Sequence, residues 1–141
     1  MTTQEKEYTL LLRTHGYRVT LGKLSLLETL AKSKRPLATQ DIVHEMQGSL
    51  NQGTIYRALE SLVNAGIVRR VDMQHAHAHY ELAANRAHHH HLICKKCGRV
   101  EDIEQCDVTA IEKKVVKKSA AFASITEHSL EFFGLCKKCS A

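Results

Sequence analysis

Residues 88–98 of the chain are His-His-His-His-Leu-Ile-Cys-Lys-Lys-Cys-Gly. Four consecutive histidines lead directly into a Cys-x₂-Cys pair, Cys94 and Cys97. A second pair, Cys136 and Cys139, is separated from the first by 38 residues. Tetrahedral zinc takes four thiolates at about 2.3 Å, and each Cys-x₂-Cys turn offers two of them to one ion. The spacing therefore predicts a structural Cys₄ zinc site.

Other uses of paired cysteines compete with zinc. Disulfides are disfavoured because the sequence shows no export signal, and disulfides are rare in the cytosol. A redox Cys-x-x-Cys motif is not expected twice without a βαβ pattern around it. Rubredoxin-like iron, held by the same four thiolates, remains an alternative. Cys106 is left over, and we interpret it as an ordinary free thiol, with a metal ligand or an oxidation sensor as the alternatives.

The tetra-histidine stretch predicts two metal sites. Successive side chains of a strand point to opposite faces, so His88 and His90 serve one face while His89 and His91 serve the other. A solvated polar strand is the alternative interpretation. The acidic and imidazole groups able to complete such sites are Glu81, Asp102, Glu112 and His128.

The first half of the chain has helical periodicity followed by strand periodicity. Apolar residues recur at helical spacing in four segments, of which the second and third begin at the predicted N-caps Thr20 and Thr39 and the fourth covers residues 51–65. Two strands, 67–72 and 77–82, follow as a hairpin. This order of elements predicts a winged helix-turn-helix. The second strand also carries alternating histidines, which we interpret as exposed groups near the hairpin tip, with metal binding as the alternative: His75, His77 and His79.

We therefore predict an α+β chain with a winged helix-turn-helix over residues 1–82, a hinge over 83–87 and a small α/β metal-binding domain over 88–141. The 141 residues are 43% hydrophobic and 25% charged, which is typical of a globular protein. No apolar run approaches the roughly 18 residues that span a bilayer, so we expect a cytoplasmic protein without a membrane partner. The net charge of +5 is compatible with nucleic-acid binding.

Taken together, these motifs resemble those of the ferric-uptake-regulator (Fur) family of metal-responsive repressors. The resemblance implies a winged helix followed by an α/β dimerisation domain, and a homodimer that binds AT-rich palindromic operators in double-stranded DNA when loaded with metal. The matching stretches are distributed in the right order over nearly the whole length of the chain: residues 16–20, 53–59, 64–68, 80–82, 88–94, 97–98 and 136–139.

The resemblance also implies roles for individual residues. The structural zinc would be held by the four paired cysteines. The sensing site between the domains would draw on Glu81, His89, His91 and Asp102. A second site in the dimerisation domain would draw on His88, His90, His128 and Glu112, with Cys106 as a substitute for the acid. The fourth helix would enter the major groove and Arg18 the narrow minor groove. The residues that this helix presents are Gln52, Thr54, Tyr56 and Arg57.

Departures from the family pattern bear on the effector metal. Iron-sensing members often have histidine where this chain has Pro36, and zinc-sensing members often have cysteine at Glu81 and a ligand at Arg69. Iron sensors frequently have His-His-Asp-His where this chain has four histidines, and the additional imidazole favours zinc. We therefore expect zinc as the effector, as in the zinc-sensing (Zur-like) branch. Iron, manganese and peroxide responses remain alternatives.

Two other classes of function compete with a repressor. A zinc hydrolase keeps an open water position and a general base, whereas the imidazoles and acids here are numerous enough to close their sites. Neither metal storage nor catalysis explains the predicted winged helix. We therefore expect no catalytic residues.

Overall fold

A computed structural model of the chain describes residues 1–74, 77–84, 88–104 and 106–141. The chain divides into two compact units, Met1–Arg86 and Ala87–Ala141. This division falls within the predicted hinge, of which residues 85–87 lie outside the described residues, as does His75 of the predicted hairpin. Within the described ranges, every helix is too short or too polar to cross a bilayer.

The first unit begins with four helices: α1 (Thr3–Thr14), α2 (Leu21–Lys32), α3 (Thr39–Glu45) and α4 (Gln52–Asn64). Thr20 caps α2 as predicted, because its hydroxyl accepts a hydrogen bond from the Lys23 N–H at 3.2 Å. The prediction for α3 was wrong by one residue. Thr39 is the first helical residue and Ala38 occupies the cap position. Since alanine has no side-chain acceptor, the Asp41 carboxylate accepts the Ala38 N–H instead, at 3.2 Å.

Apolar residues from all four helices form the core of the first unit, and a three-stranded antiparallel sheet contributes to it. The strands are β1 (Leu37–Ala38), β2 (Val68–Val71) and β3 (His79–Leu82), in the order β1-β3-β2. The β2–β3 hairpin is the predicted wing. Strand β1 was not predicted, because two residues are too few to show a period. Helices followed by this hairpin confirm the winged helix-turn-helix.

The second unit is built on another three-stranded sheet. Its strands are β4 (His90–Cys94), β5 (Val100–Ile103) and β6 (Glu131–Gly134), in the order β5-β4-β6. Strand β4 runs antiparallel to β5 and parallel to β6. Helix α5 (Thr109–Lys118) lies between β5 and β6 in sequence, and a short α6 (Lys137–Ser140) follows. Large apolar side chains of this unit remain exposed, which is typical of a surface that a partner covers: Leu92, Ile111, Val115, Phe132 and Leu135.

Candidate metal centres and DNA-binding surface

The four paired cysteines meet at one edge of the second sheet. Cys94 ends β4, and Cys136 follows β6, which lies parallel beside it. Gly98 closes the first turn at φ +77°, a conformation that favours glycine, and its N–H donates to the Cys94 carbonyl at 2.9 Å. The four sulfur atoms all lie within 4.8 Å of one another.

The sulfur geometry fits tetrahedral zinc. The Sγ atoms of Cys97 and Cys136 are 3.8 Å apart, which matches the edge of about 3.8 Å for a tetrahedron with zinc–sulfur bonds of about 2.3 Å. Hydrogen bonds from the backbone of Cys97 and then of Cys136 lower the pKa of Cys94 to about 6. The thiol of Cys139 donates to Cys136, which raises the pKa of Cys139 to about 12. The cluster is thus partly thiolate at neutral pH, as a cation-binding group requires.

The tetra-histidine stretch alternates as predicted, although only its last two members belong to β4. The rings of His88 and His90 contact each other with centroids 4.6 Å apart, and those of His89 and His91 do so at 5.0 Å. Each pair therefore serves its own face, which confirms the two-face prediction.

His88 and His90 belong to a second group of four donor atoms, all within 4.8 Å of one another, together with His128 and Cys106. The Nε2 atoms of His88, His90 and His128 are 3.1 Å apart pairwise. The Cys106 Sγ is 3.1 Å from the Nε2 atoms of both His90 and His128. The fourth member of the group is therefore the cysteine that the sequence offered only as a substitute.

Glu112, a predicted ligand of the second site, is not among the four grouped donors. It lies in the first turn of α5 and faces the opposite side of the His128 ring. The His128 Nδ1–H donates to Glu112 Oε1 at 2.7 Å. This contact leaves the Nε2 lone pair of His128 directed at the group, because a neutral imidazole carries a single proton.

His91 lies between two carboxylates in the middle of the second sheet. It pairs with Asp102 on β5 and with Glu131 on β6. Its Nε2 is 3.9 Å from Asp102 Oδ1, and its Nδ1 is 3.6 Å from Glu131 Oε1. Asp102 was predicted, whereas Glu131 was missed, because only the parallel pairing of β4 with β6 brings it to this position.

Glu81 belongs to the first unit, on β3. It pairs across the wing with Arg69 of β2, whose Nη2 donates to Glu81 Oε1 at 2.6 Å.

The histidines of the same hairpin contact each other, because the His79 Nδ1–H donates to the His77 carbonyl at 3.0 Å. Within the described part of the chain, neither His77 nor His79 belongs to a group of three or more donors that could hold a metal.

The predicted DNA-contacting residues of α4 lie away from the core side of the helix, although Thr54 is half-buried. Ile55 and Leu59 are buried on the core side, whereas Gln52 and Arg57 are exposed and Tyr56 retains 43% of its accessible surface. The Asn51 side chain caps the helix by accepting the Thr54 N–H at 2.8 Å. The first turn contains no acidic residue. An uncompensated helix N-terminus with an adjacent guanidinium is well suited to phosphate and base contacts.

Arg18 is exposed in the loop before α2, and its neighbour anchors that loop to α4. The Tyr17 hydroxyl donates to the Ser61 carbonyl of α4 at 2.8 Å, and the Lys23 ammonium donates to the Arg18 carbonyl at 3.0 Å. Sequence reasoning did not assign this anchoring role to Tyr17, although the residue lies in one of the matching motifs.

A winged helix joined to a small domain with clustered thiolates and imidazoles defines a metal-responsive DNA-binding regulator. The model of the ferric uptake regulator family matches residues 14–133, and the chain belongs to this family. It is 30% identical over 132 residues to the ferric uptake regulation protein of Legionella pneumophila, covering 91% of this chain and 95% of that relative. Members of this family are DNA-binding transcription regulators, and the chain is accordingly a transcription regulator and not an enzyme.

Two of the solved structures that resemble most of the chain come from other ferric uptake regulators. The Vibrio cholerae ferric uptake regulator is 27% identical with a TM-score of 0.72, covering 92% of this chain and 99% of that one. The regulator from Francisella tularensis, solved with iron, is 27% identical with a TM-score of 0.71, covering 89% and 96%. The likeness extends through both units and confirms the predicted fold class.

Proposed function

We propose that the protein is a repressor of metal-homeostasis genes whose affinity for operator DNA rises when its effector metal binds. One observation carries this proposal: the same chain presents a capped recognition helix and two clustered sets of metal donors. Since such a regulator acts where the chromosome is, we place it in the cytoplasm.

Structural zinc is proposed at Cys94, Cys97, Cys136 and Cys139. Zinc supplies there a closed tetrahedral cross-link between four thiolates. These residues tie the turn after β4 to the turn after β6, and the backbone hydrogen bonds that lower the pKa of Cys94 stabilise its thiolate. Because the second unit leaves much apolar surface exposed, we expect its stability to depend on this cross-link and on a partner subunit.

The effector site is proposed, from the family resemblance, to comprise two imidazoles and two carboxylates. Such a donor set accepts Zn²⁺, Fe²⁺ or Mn²⁺, and at equal free concentration Zn²⁺ binds most tightly of the three. We propose Zn²⁺ as the effector because this chain has four consecutive histidines where iron sensors frequently have His-His-Asp-His, and the additional imidazole favours zinc. The proposed ligands are Glu81, His89, His91 and Asp102.

A second site in the dimerisation domain is proposed around His88, His90 and His128. The three convergent Nε2 atoms support it, and the Glu112 carboxylate supports the ring orientation of His128. A site wholly within this domain is suited to stabilising the dimer core.

The homodimer is proposed to bury the exposed apolar residues of the second unit. Leu92 and Phe132 are Cα partners on adjacent strands, and each retains more than 40% of its accessible surface: 41% and 46%. In the dimer, two recognition helices are proposed to dock in successive major grooves of an AT-rich palindrome. Half-site spacing admits a narrow range of orientations, so a metal that favours the docked arrangement raises DNA affinity.

The test is a titration of DNA binding with one metal at a time. Protein purified without chelators is first analysed for its metal content, and its binding to an AT-rich palindromic duplex is then followed by fluorescence anisotropy as Zn²⁺, Mn²⁺ or, without oxygen, Fe²⁺ is added. Zinc should raise the affinity at the lowest free concentration. If only Fe²⁺ or Mn²⁺ raises the DNA affinity, that ion is the effector in place of zinc. A DNA affinity that is independent of every metal would overturn the proposal.

A further inference from the structure

We infer that His88, His90, His128 and Cys106 form a closed Cys-His₃ site for an ion of the zinc class, with Glu112 outside the ligand set. This inference deepens the proposed function, because it assigns the ligands and the metal class of the second site. The inferred ligand set differs from the one that the family resemblance implies, in which the Glu112 carboxylate takes the place of the Cys106 thiolate.

The distances within the group match tetrahedral coordination. With metal–nitrogen bonds of about 2.0 Å, the tetrahedral edge between two nitrogens is about 3.3 Å. The three observed nitrogen–nitrogen separations are each 3.1 Å. The Cys106 sulfur is 3.1 Å from two of these nitrogens, slightly less than the edge of about 3.5 Å that bonds of about 2.0 and 2.3 Å give, and is therefore placed to supply the fourth ligand.

Hydrogen bonding among the rings alone does not account for this arrangement. An imidazole nitrogen that carries a proton donates but does not accept, so three nitrogens cannot satisfy all three edges of a triangle with one another. In a neutral His128 ring that donates its Nδ1–H to the Glu112 carboxylate, Nε2 is moreover an acceptor. Lone pairs that converge in this way are suited to a shared cation.

Glu112 is thereby a positioning residue. A carboxylate that accepts the remote N–H of a ligating histidine fixes the tautomer and the orientation of the ring, and raises the basicity of the ligand. The 2.7 Å contact between Glu112 Oε1 and His128 Nδ1 has this arrangement. Replacing this carboxylate should weaken metal binding without removing a ligand.

The donor set decides the metal class. One thiolate and three imidazoles suit zinc, whereas carboxylates, carbonyls and water suit manganese. Four protein ligands also leave no open position, as in structural sites. The Cys-His₃ site should therefore hold a zinc-class ion whichever metal serves as the effector.

Cobalt is the probe, because a thiolate bound to Co²⁺ gives a charge-transfer absorption band in the near ultraviolet and imidazole or carboxylate ligands do not. The full chain is prepared with zinc retained in the Cys₄ site, verified by elemental analysis, and titrated with Co²⁺. Outside the Cys₄ site the chain has one cysteine, Cys106. We expect the band in the wild type and its loss in Cys106→Ser and Cys106→Asp, of which Asp offers an oxygen ligand in place of the thiolate. Glu112→Gln should retain the band with Co²⁺ affinity weakened by about 10- to 100-fold.

Saturation of the wild type with Co²⁺, so that both proposed histidine sites are filled, without this band would overturn the inference. So would a band that persists in Cys106→Asp while the Cys₄ zinc is retained, since the thiolate would then come from elsewhere. Metal-stimulated DNA binding is measured on the same samples. If the wild type shows the cobalt–thiolate band but metal does not raise its DNA affinity, the proposed function is contradicted while the Cys-His₃ site is supported.

Discussion

The cap of the proposed recognition helix permits a quantitative test of the contribution that α4 makes to DNA binding. Asn51 accepts the Thr54 N–H at 2.8 Å and thereby orders the first helical turn, which carries Gln52 and Thr54. Replacing an asparagine N-cap with alanine costs about 1 kcal/mol. For a unit of this size we expect Asn51→Ala to lower the unfolding temperature by about 4–8 °C.

The free energy of about 1 kcal/mol that is lost with the cap also sets an upper bound on the change in DNA affinity. Docking must restore the ordered turn, so each half-site can lose at most about 1 kcal/mol, or about fivefold in Kd. A dimer on a palindrome has two half-sites, and its affinity can therefore fall by up to about 30-fold. Fluorescence anisotropy at fixed salt and saturating metal measures this change, with thermal unfolding of the same full-length samples in parallel.

Asn51→Ser is the matched control, because serine caps as well as asparagine does. It should restore both the unfolding temperature and the DNA affinity. If Asn51→Ser recovers stability but binds DNA as weakly as Asn51→Ala, then Asn51 contacts DNA directly and the capping argument fails. An unchanged unfolding temperature in Asn51→Ala would refute the estimate itself.

Three further outcomes test the sites. His89→Ala should abolish metal-stimulated DNA binding while its sequence neighbour His90→Ala only weakens it, because the two rings serve opposite faces; equal losses with an intact dimer would contradict this assignment. Cys139→Ser should release about one zinc per chain and give monomeric or unfolded protein, as followed by elemental analysis and light scattering; a stable zinc-bound dimer would exclude the Cys₄ site. Tyr56→Ala should relax the preference for the operator sequence, whereas Arg18→Ala should lower the affinity for AT-rich DNA most. If both variants bind the operator like the wild type at matched salt, these residues are not part of the recognition surface.

The sequence was sufficient for features that depend on local chemistry. The cap at Thr20 and the alternation of the histidines each follow from backbone preferences within a few residues, and each is confirmed. The Cys-x₂-Cys spacing predicted a cluster that the structure brings together, because each turn fixes two sulfurs relative to each other.

Features that depend on pairing between distant segments were beyond the sequence. Glu131 lies beside His91 only because β6 runs parallel to β4, and spacing along the chain carries no signal for that pairing. Glu112 was chosen as a ligand by its residue type. Its position in the first turn of α5 directs it to the far nitrogen of His128, while Cys106, in the preceding loop, occupies the near side.

The close spacing of His88 and Cys94 along the sequence restricts how this protein can evolve. Residues 88–94 supply ligands to three proposed sites, and their assignment depends on strand alternation. Inserting or deleting one residue would exchange the two faces for every side chain beyond the change. One ligand of the tract can therefore be exchanged for another donor at the same position, whereas the length of the tract cannot change. New metal preferences in such a regulator would arise by exchanging donor atoms at fixed positions, as the cysteine near His128 illustrates.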